Sequence, residues 1–126
     1  MLPCAKMVRW RSDIGDLNWS QTEKRIARKA FDLALSREFD AVIQEVRCRA
    51  AAIEAPSALW DPEDFLTKSR KDIDQRYDYR YSDLIEVFAS LIWSGRLTEA
   101  ELNGLGEDKL GAVRTIVSAA EAWSRR

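Results

Sequence analysis

The sequence predicts an all-α fold: a long helical stalk carrying a compact C-terminal helical head, assembled as a dimer. Three observations predict it. Apolar residues recur every three or four positions from Phe31 to Ile53 and again through the C-terminal half, with no strand-like alternation. Only five Gly and three Pro interrupt the 126 residues, so long helices can run unbroken. Helix-start and helix-stop residues fall at the ends of the periodic runs. The length suits one domain, and a composition of 46% hydrophobic and 33% charged residues is that of a globular chain.

Residues 1–18 show no sustained period, and Pro3, Gly15 and scattered charges predict a flexible leader. Residues 19–126 form the single helical domain, with the stalk at about 19–76 and the head at about 77–126. Ser20 with Glu23 is a capping-box pattern that opens the first helix, and Pro56 marks its end near Ile53. Phe31, Leu35, Phe39, Val42, Val46, Ala50 and Ile53 fall on one face of it. A helix of ~33 residues is ~50 Å long, more than a compact domain of this size can cover. A second copy of the chain is the simplest cover. Phe31, Leu35, Phe39, Val42, Val46 and Ile53 are therefore the expected homodimer interface.

The second helix is expected to start at Asp61 as N-cap and Pro62 as first helical residue. Asp64 then sits at the third position, and Trp60 with Phe65 matches a hydrophobic staple. This helix should end near Arg76. Tyr77, Tyr81, Leu84, Ile85, Phe88, Leu91 and Ile92 continue at helical spacing, and Gly95 suits the left-handed position that ends a helix. Thr98 with Glu101 opens a short helix that stops near Asn103-Gly104. The last helix runs from about Glu107 to Trp123 on Leu110, Val113, Ile116, Val117, Ala120 and Trp123.

The charge balance, 20 basic against 21 acidic residues, gives no overall case for nucleic acid or an anionic membrane. Arg25, Arg28, Lys29, Arg37, Arg47 and Arg49 interleave with Glu23, Asp32, Glu38 and Asp40, as on a charged, helix-stabilising surface. A nucleic-acid-associated helical protein therefore ranks last. No stretch approaches the ~20 apolar residues of a membrane-spanning helix, so a soluble, cytoplasmic protein is expected. There is no histidine, the commonest general base and metal ligand. Cys4 and Cys48 cannot build a zinc site alone and read as reduced thiols.

Asp61, Glu63 and Asp64 look like first-turn helix acids and not metal ligands. Asp72, Asp74, Asp78 and Asp83 alternate with Lys71, Arg76 and Arg80, the pattern of a solvated face. No phosphate loop or nucleophile motif is present. No metal, no cofactor and no enzymatic activity are expected. Protein binding fits better: five Trp is a high number at this length, and Trp and Arg dominate interface energetics. Trp60 and Arg70 stand out. Asp64 and Arg70 are six residues apart, ~240° around one helix, so they cannot pair on it. Their partners must lie on another helix, another subunit or a client.

Leu59-Trp60, Asp64-Phe65-Leu66, Arg70, Ile73-Asp74, Tyr77-Asp78 and Arg80 together resemble the fluorescence recovery protein family. The family pattern reads approximately L-W-x-x-x-D-F-L, then K/R-R, then I-D-x-x-Y-D-x-R. The likeness continues without gaps through Trp19-Ser20, Arg28-Lys29-Ala30, Glu38, Val87-Phe88, Gly95-Arg96-Leu97, Glu101-Leu102, Leu105 and Asp108-Lys109. It covers about Trp19 to Ile116. The resemblance implies a cytosolic helical homodimer that binds the photoactivated orange carotenoid protein (OCP), mainly its C-terminal domain. Such a protein speeds OCP's return to the orange form and its release from the phycobilisome, ending photoprotective quenching. The family's functional Trp, Asp and Arg correspond to Trp60, Asp64 and Arg70. Glu63 stands where the family carries a functional histidine, Glu86 where it carries an aromatic, and Ala112 where it carries a base. These changes alter the shape and charge of a client surface. Trp60, Glu63, Asp64 and Arg70 are the expected partner-binding residues. The alternative is a dimeric helical adaptor or chaperone-like module with a client other than OCP.

Overall fold

The computed structural model describes residues 18–125; the leader, with Cys4 and Trp10, lies outside that range apart from its last residue. Among the described residues are four α-helices, two short 3₁₀ turns and no β-strand. Helix α1 spans Gln21–Ala51, α2 Asp61–Arg76, α3 Leu84–Trp93 and α4 Glu107–Ser124. The 3₁₀ turns are Pro56–Ala58 and Glu99–Leu102.

The capping box at the start of α1 forms as expected. The Glu23 amide donates to Ser20 Oγ at 3.1 Å, and the Ser20 amide donates to Glu23 Oε1 at 2.9 Å. Glu23 also does something the local pattern does not encode. Its Oε2 accepts the Gly106 amide at 2.7 Å, and its Oε1 pairs with Lys109 Nζ at 3.2 Å. Gly106 is the cap residue of α4, so one carboxylate closes the N-termini of two helices. The buried Lys109 ammonium also lies 5.1 Å from the Trp19 ring centre. Burial pushes the Glu23 carboxyl up, but hydrogen bonds from the Ser20 and Gly106 amides and from Lys109 outweigh it and leave it below its usual value.

The core joins the first half of α1 to the C-terminal helices. Ala27, Ala30, Phe31 and Ala34 pack with Leu84, Ile85, Phe88 and Leu91 of α3, with Leu97, Leu102 and Leu105, and with Leu110 and Val113 of α4. The small alanines let the α1 backbone approach closely. Phe31, expected at a dimer interface, is 4% exposed within its own chain. Tyr77 and Tyr79 meet it edge-on, at 5.6 and 4.9 Å between ring centres.

Residues 77–83 are not helical, contrary to the expected run of helical spacing from Tyr77. The physical reason is a two-residue period. Tyr77, Tyr79 and Tyr81 alternate with Asp78, Arg80 and Ser82, and their rings line up along α1 from Phe31 to Trp19. Helix α3 therefore starts at Leu84. It ends as expected at Gly95, whose φ is +84°. The Arg96 amide donates to the Leu91 carbonyl at 2.9 Å and the Gly95 amide to Ile92 at 3.1 Å, the paired bonds of a Schellman motif. The Thr98–Glu101 capping box opens the expected short helix, which is a 3₁₀ turn.

The second half of α1 pairs with α2. Arg49 meets Asp61 at one end and Glu38 meets Arg76 at the other, so the helices run antiparallel as a hairpin. No residue from 35 to 83 is buried.

Candidate protein-binding surface

The start of α2 differs from the sequence expectation by one residue. Asp61 is not the N-cap; Trp60 occupies that position (φ −86°, ψ −5°), with no side-chain cap, and Asp61 is the first helical residue. The Asp64 amide donates to the Trp60 carbonyl at 3.0 Å, the first bond of the helix. Asp61 is drawn off by an ion pair that the local pattern cannot show. Arg49 Nη1 donates to both its oxygens, at 3.0 and 3.2 Å, and Arg49 Nε to Glu45 at 2.8 Å. The same guanidinium lies 4.6 Å from the Phe65 ring centre, where a staple with Trp60 was expected. Asp61, Glu63 and Asp64 still favour the helix electrostatically as first-turn acids.

This arrangement leaves Trp60 64% exposed beside exposed Leu59. Glu63 and Asp64 are exposed on the next turn, and Arg70 further along. Arg70 lines a groove of about 460 Å³ with Phe39, Val42, Leu66, Ser69, Ile73 and Asp74. Phe39 and Leu66 remain 48% and 44% exposed there. The structure thus brings Arg70 together with Phe39 and Val42 of the apolar stripe. Trp60, Glu63 and Asp64 stand outside the groove, toward the hairpin tip, and Asp64 and Arg70 are not brought together. Leu35, Val42, Val46 and Ile53 are half-buried.

The opposite side of the hairpin holds a second groove of about 370 Å³, at whose end lie Glu38, Arg76 and Arg96. Glu38 Oε1 accepts from Tyr77 Oη at 3.0 Å, Arg96 Nε at 3.0 Å and Arg76 Nη1 at 3.2 Å. Burial, and then the Glu38 carboxylate, push the Tyr77 phenol above its usual pKa, so it stays a donor. Next to it, Arg37 forks onto Glu101 at 2.6 and 2.8 Å and donates to the Arg96 carbonyl at 2.9 Å. The Arg37 fork and the Thr98 amide hold the Glu101 carboxyl down at about 2. Arg37, Arg49 and Arg96 were not singled out by sequence as organising residues. Arg37 and Arg96 find their partners 58 to 64 positions away and Arg49 reaches Asp61 12 positions away, beyond the reach of local helix-pair rules.

Glu86, where the family resemblance has an aromatic, is buried in α3, and Ala112 is half-buried on α4. Glu86 thus changes packing more than an exposed client face. Among the described residues no group of Cys, Asp or Glu is arranged to hold a metal ion. Among the same residues no helix is long and apolar enough to cross a membrane.

This is an all-helical protein whose hairpin carries an apolar groove rimmed by Arg70 and, nearer its tip, an exposed Trp and two exposed acids, residue types that are frequent in recognition surfaces. Residues 19–117 match the family model of the photoprotection regulator fluorescence recovery protein. The chain is 37% identical over 98 residues to the fluorescence recovery protein of Synechocystis sp. PCC 6803, which spans 78% of this chain and 90% of that one. It belongs to the fluorescence recovery protein family. The solved fluorescence recovery protein of Fremyella diplosiphon superimposes with a TM-score of 0.75 at 42% identity, covering 79% of this chain and 97% of that one. The Synechocystis structure gives 0.76 at 36%, covering 80% and 99%. The helices from α1 to the first part of α4 therefore share the fold of the solved fluorescence recovery proteins.

Proposed function

We propose that this protein binds photoactivated OCP and accelerates its return to the inactive orange state, ending photoprotective quenching. One observation carries the reading. The family match spans residues 19–117, and within it Trp60 at the N-cap of α2 and Asp64 and Arg70 on α2 are all presented to solvent. The mechanism is differential binding: a protein that grips one conformer of its client better than the other shifts the balance between them. The acting form is a cytoplasmic homodimer. In support, residues 35 to 83 contain no buried residue although Leu35, Phe39, Val42, Val46 and Ile53 form one apolar stripe.

A second reading, a client other than OCP, is favoured by Glu63. An exposed carboxylate at the position of the family's histidine changes the charge presented beside Asp64. One experiment separates the two. Carotenoid-loaded OCP is photoconverted and its orange recovery followed in the dark, with and without this protein. Faster recovery that is lost in Arg70→Lys supports the first reading. An unchanged rate at saturating protein overturns it in favour of a different client.

A further inference from the structure

The hairpin and the core are joined by α1, which runs through both, and by residues 77–83. A single helix is a bendable rod, and the end of α2 is free to splay unless something pins it. That end is where three separate parts of the chain converge on one atom. Arg76 is the last residue of α2, Tyr77 its C-cap, and Arg96 closes the Schellman turn that ends α3. All three donate to Glu38 Oε1. The Glu38 side chain is 13% exposed. Its neighbour Arg37 takes the other side of the same junction, gripping Glu101 and the Arg96 carbonyl. Arg96 is thus held at its side chain by Glu38 and at its backbone by Arg37.

We propose that Glu38 is a positioning residue: by collecting the ends of α2 and α3 onto α1, it sets the direction in which the α1–α2 hairpin leaves the α3–α4 core. The proposal rests on the reading of α2 as the client-binding face. Its consequence is that Arg70 keeps a fixed relation to any contact the core makes with the same client. An apolar contact would fill the junction as stably, since ion pairs shielded from water repay much of their gain in desolvation. It would not fix an angle. Three charge-assisted or phenolic hydrogen bonds to one oxygen do, because each is directional.

Glu38→Gln tests this, keeping the size and one acceptor oxygen but removing the charge. Spin labels go on Ser57→Cys at the hairpin tip and Ser118→Cys on α4, with Cys4 and Cys48 replaced by Ser. Labelled chain is diluted with unlabelled chain, so that only the intrachain distance is read. The parent should give one narrow distance distribution. Glu38→Gln should broaden it while the helical circular dichroism is retained, and should lower the maximal acceleration of OCP recovery by about fivefold or more, the size of a modest coupling between sites. Arg96→Gln, which leaves Arg76 and Tyr77 on Glu38, should act in the same direction and serves if Glu38→Gln does not fold. An unbroadened distribution in both variants overturns the proposal, and so does a broadened one with full acceleration. If the parent itself does not accelerate recovery, the OCP reading fails while the distance measurement still judges the role of Glu38 in alignment.

Discussion

Arg49 and Arg70 lie on the two arms of one hairpin, and only their surroundings tell them apart. Arg49 is spent internally on Asp61, Glu45 and the Phe65 ring. Arg70 stands exposed at a groove rim. Arg70→Lys should impair client binding and leave melting temperature near that of the parent, since an exposed residue without structural partners rarely costs more than ~0.5 kcal/mol. Dimer dissociation must be measured on the same variant. A large rise there with client affinity per dimer unchanged would move Arg70 to the subunit interface. Asp61 tests the reverse case. Read as an N-cap, its loss would cost ~1 kcal/mol. As a half-exposed ion-pair partner of Arg49, Asp61→Ala should cost ~0.5 kcal/mol or less by chemical denaturation. The sequence carried the residue type and the neighbourhood, but not Arg49, which competes for the carboxylate from 12 positions away. Glu101 gives a pH signature. Its folded pKa of about 2 lies below the usual carboxylate value of ~4.3, so its stabilisation is complete above ~4.3 and lost as pH falls toward 2. Glu101→Gln should melt below the parent at pH 7 and converge with it near pH 2 in thermal scans across that range.

At the level of elements, what was legible depended on whether the defining interaction is local. The capping box of α1 and the Gly95 stop rest on residues within five positions of one another, the span of α4 rests on its own helical period, and each formed where the sequence placed it. The run from Tyr77 was misread because Tyr77, Tyr81, Leu84 and Ile85 happen to fit a helical period. Tyr79 is the residue that breaks it, and Phe31, nearly fifty positions earlier, is what its ring packs on. A tertiary contact there overrides a local pattern. The 3₁₀ turn at Glu99–Leu102 is followed by Gly104 with φ +106°, which L side chains rarely adopt. A Cβ there would also run into Ile26 Cδ1 of α1. Gly104→Ala should therefore destabilise by more than the ~1–2 kcal/mol backbone cost of a left-handed residue, while Gly95→Ala, with φ +84° but open space around it, should cost only that backbone part. Equal stabilities for Gly104→Ala and the parent in urea would show that the turn before α4 relaxes freely.

For the whole molecule, the apolar stripe was read from the sequence as one continuous face, and the structure divides its use. Phe31 is consumed by the protomer's own core, whereas Phe39 is 48% exposed eight residues later on the same side of α1. The division was not legible because it depends on where the C-terminal helices dock along α1, a matter of the non-local packing of Leu84, Phe88 and Leu91. It sharpens the test of the proposed dimer. Val42 lines the grooves on both sides of the hairpin, so a charge there disturbs α1 against α2 as well as any partner. Phe39 is the cleaner site. Phe39→Glu leaves the protomer's buried core untouched, but in a dimer it would place an unpaired carboxylate in an interface expected to bury more than ~1,000 Å². Leu33 is the control: it is 37% exposed on α1 but lies two residues off the stripe in either direction. At tens of micromolar, light scattering should give a dimer for the parent and for Leu33→Glu, and a monomer with retained helical circular dichroism for Phe39→Glu. A monomeric parent would end the dimer proposal. A dimeric Phe39→Glu with a dissociated Leu33→Glu would move the interface to the other side of α1, away from the groove that holds Arg70.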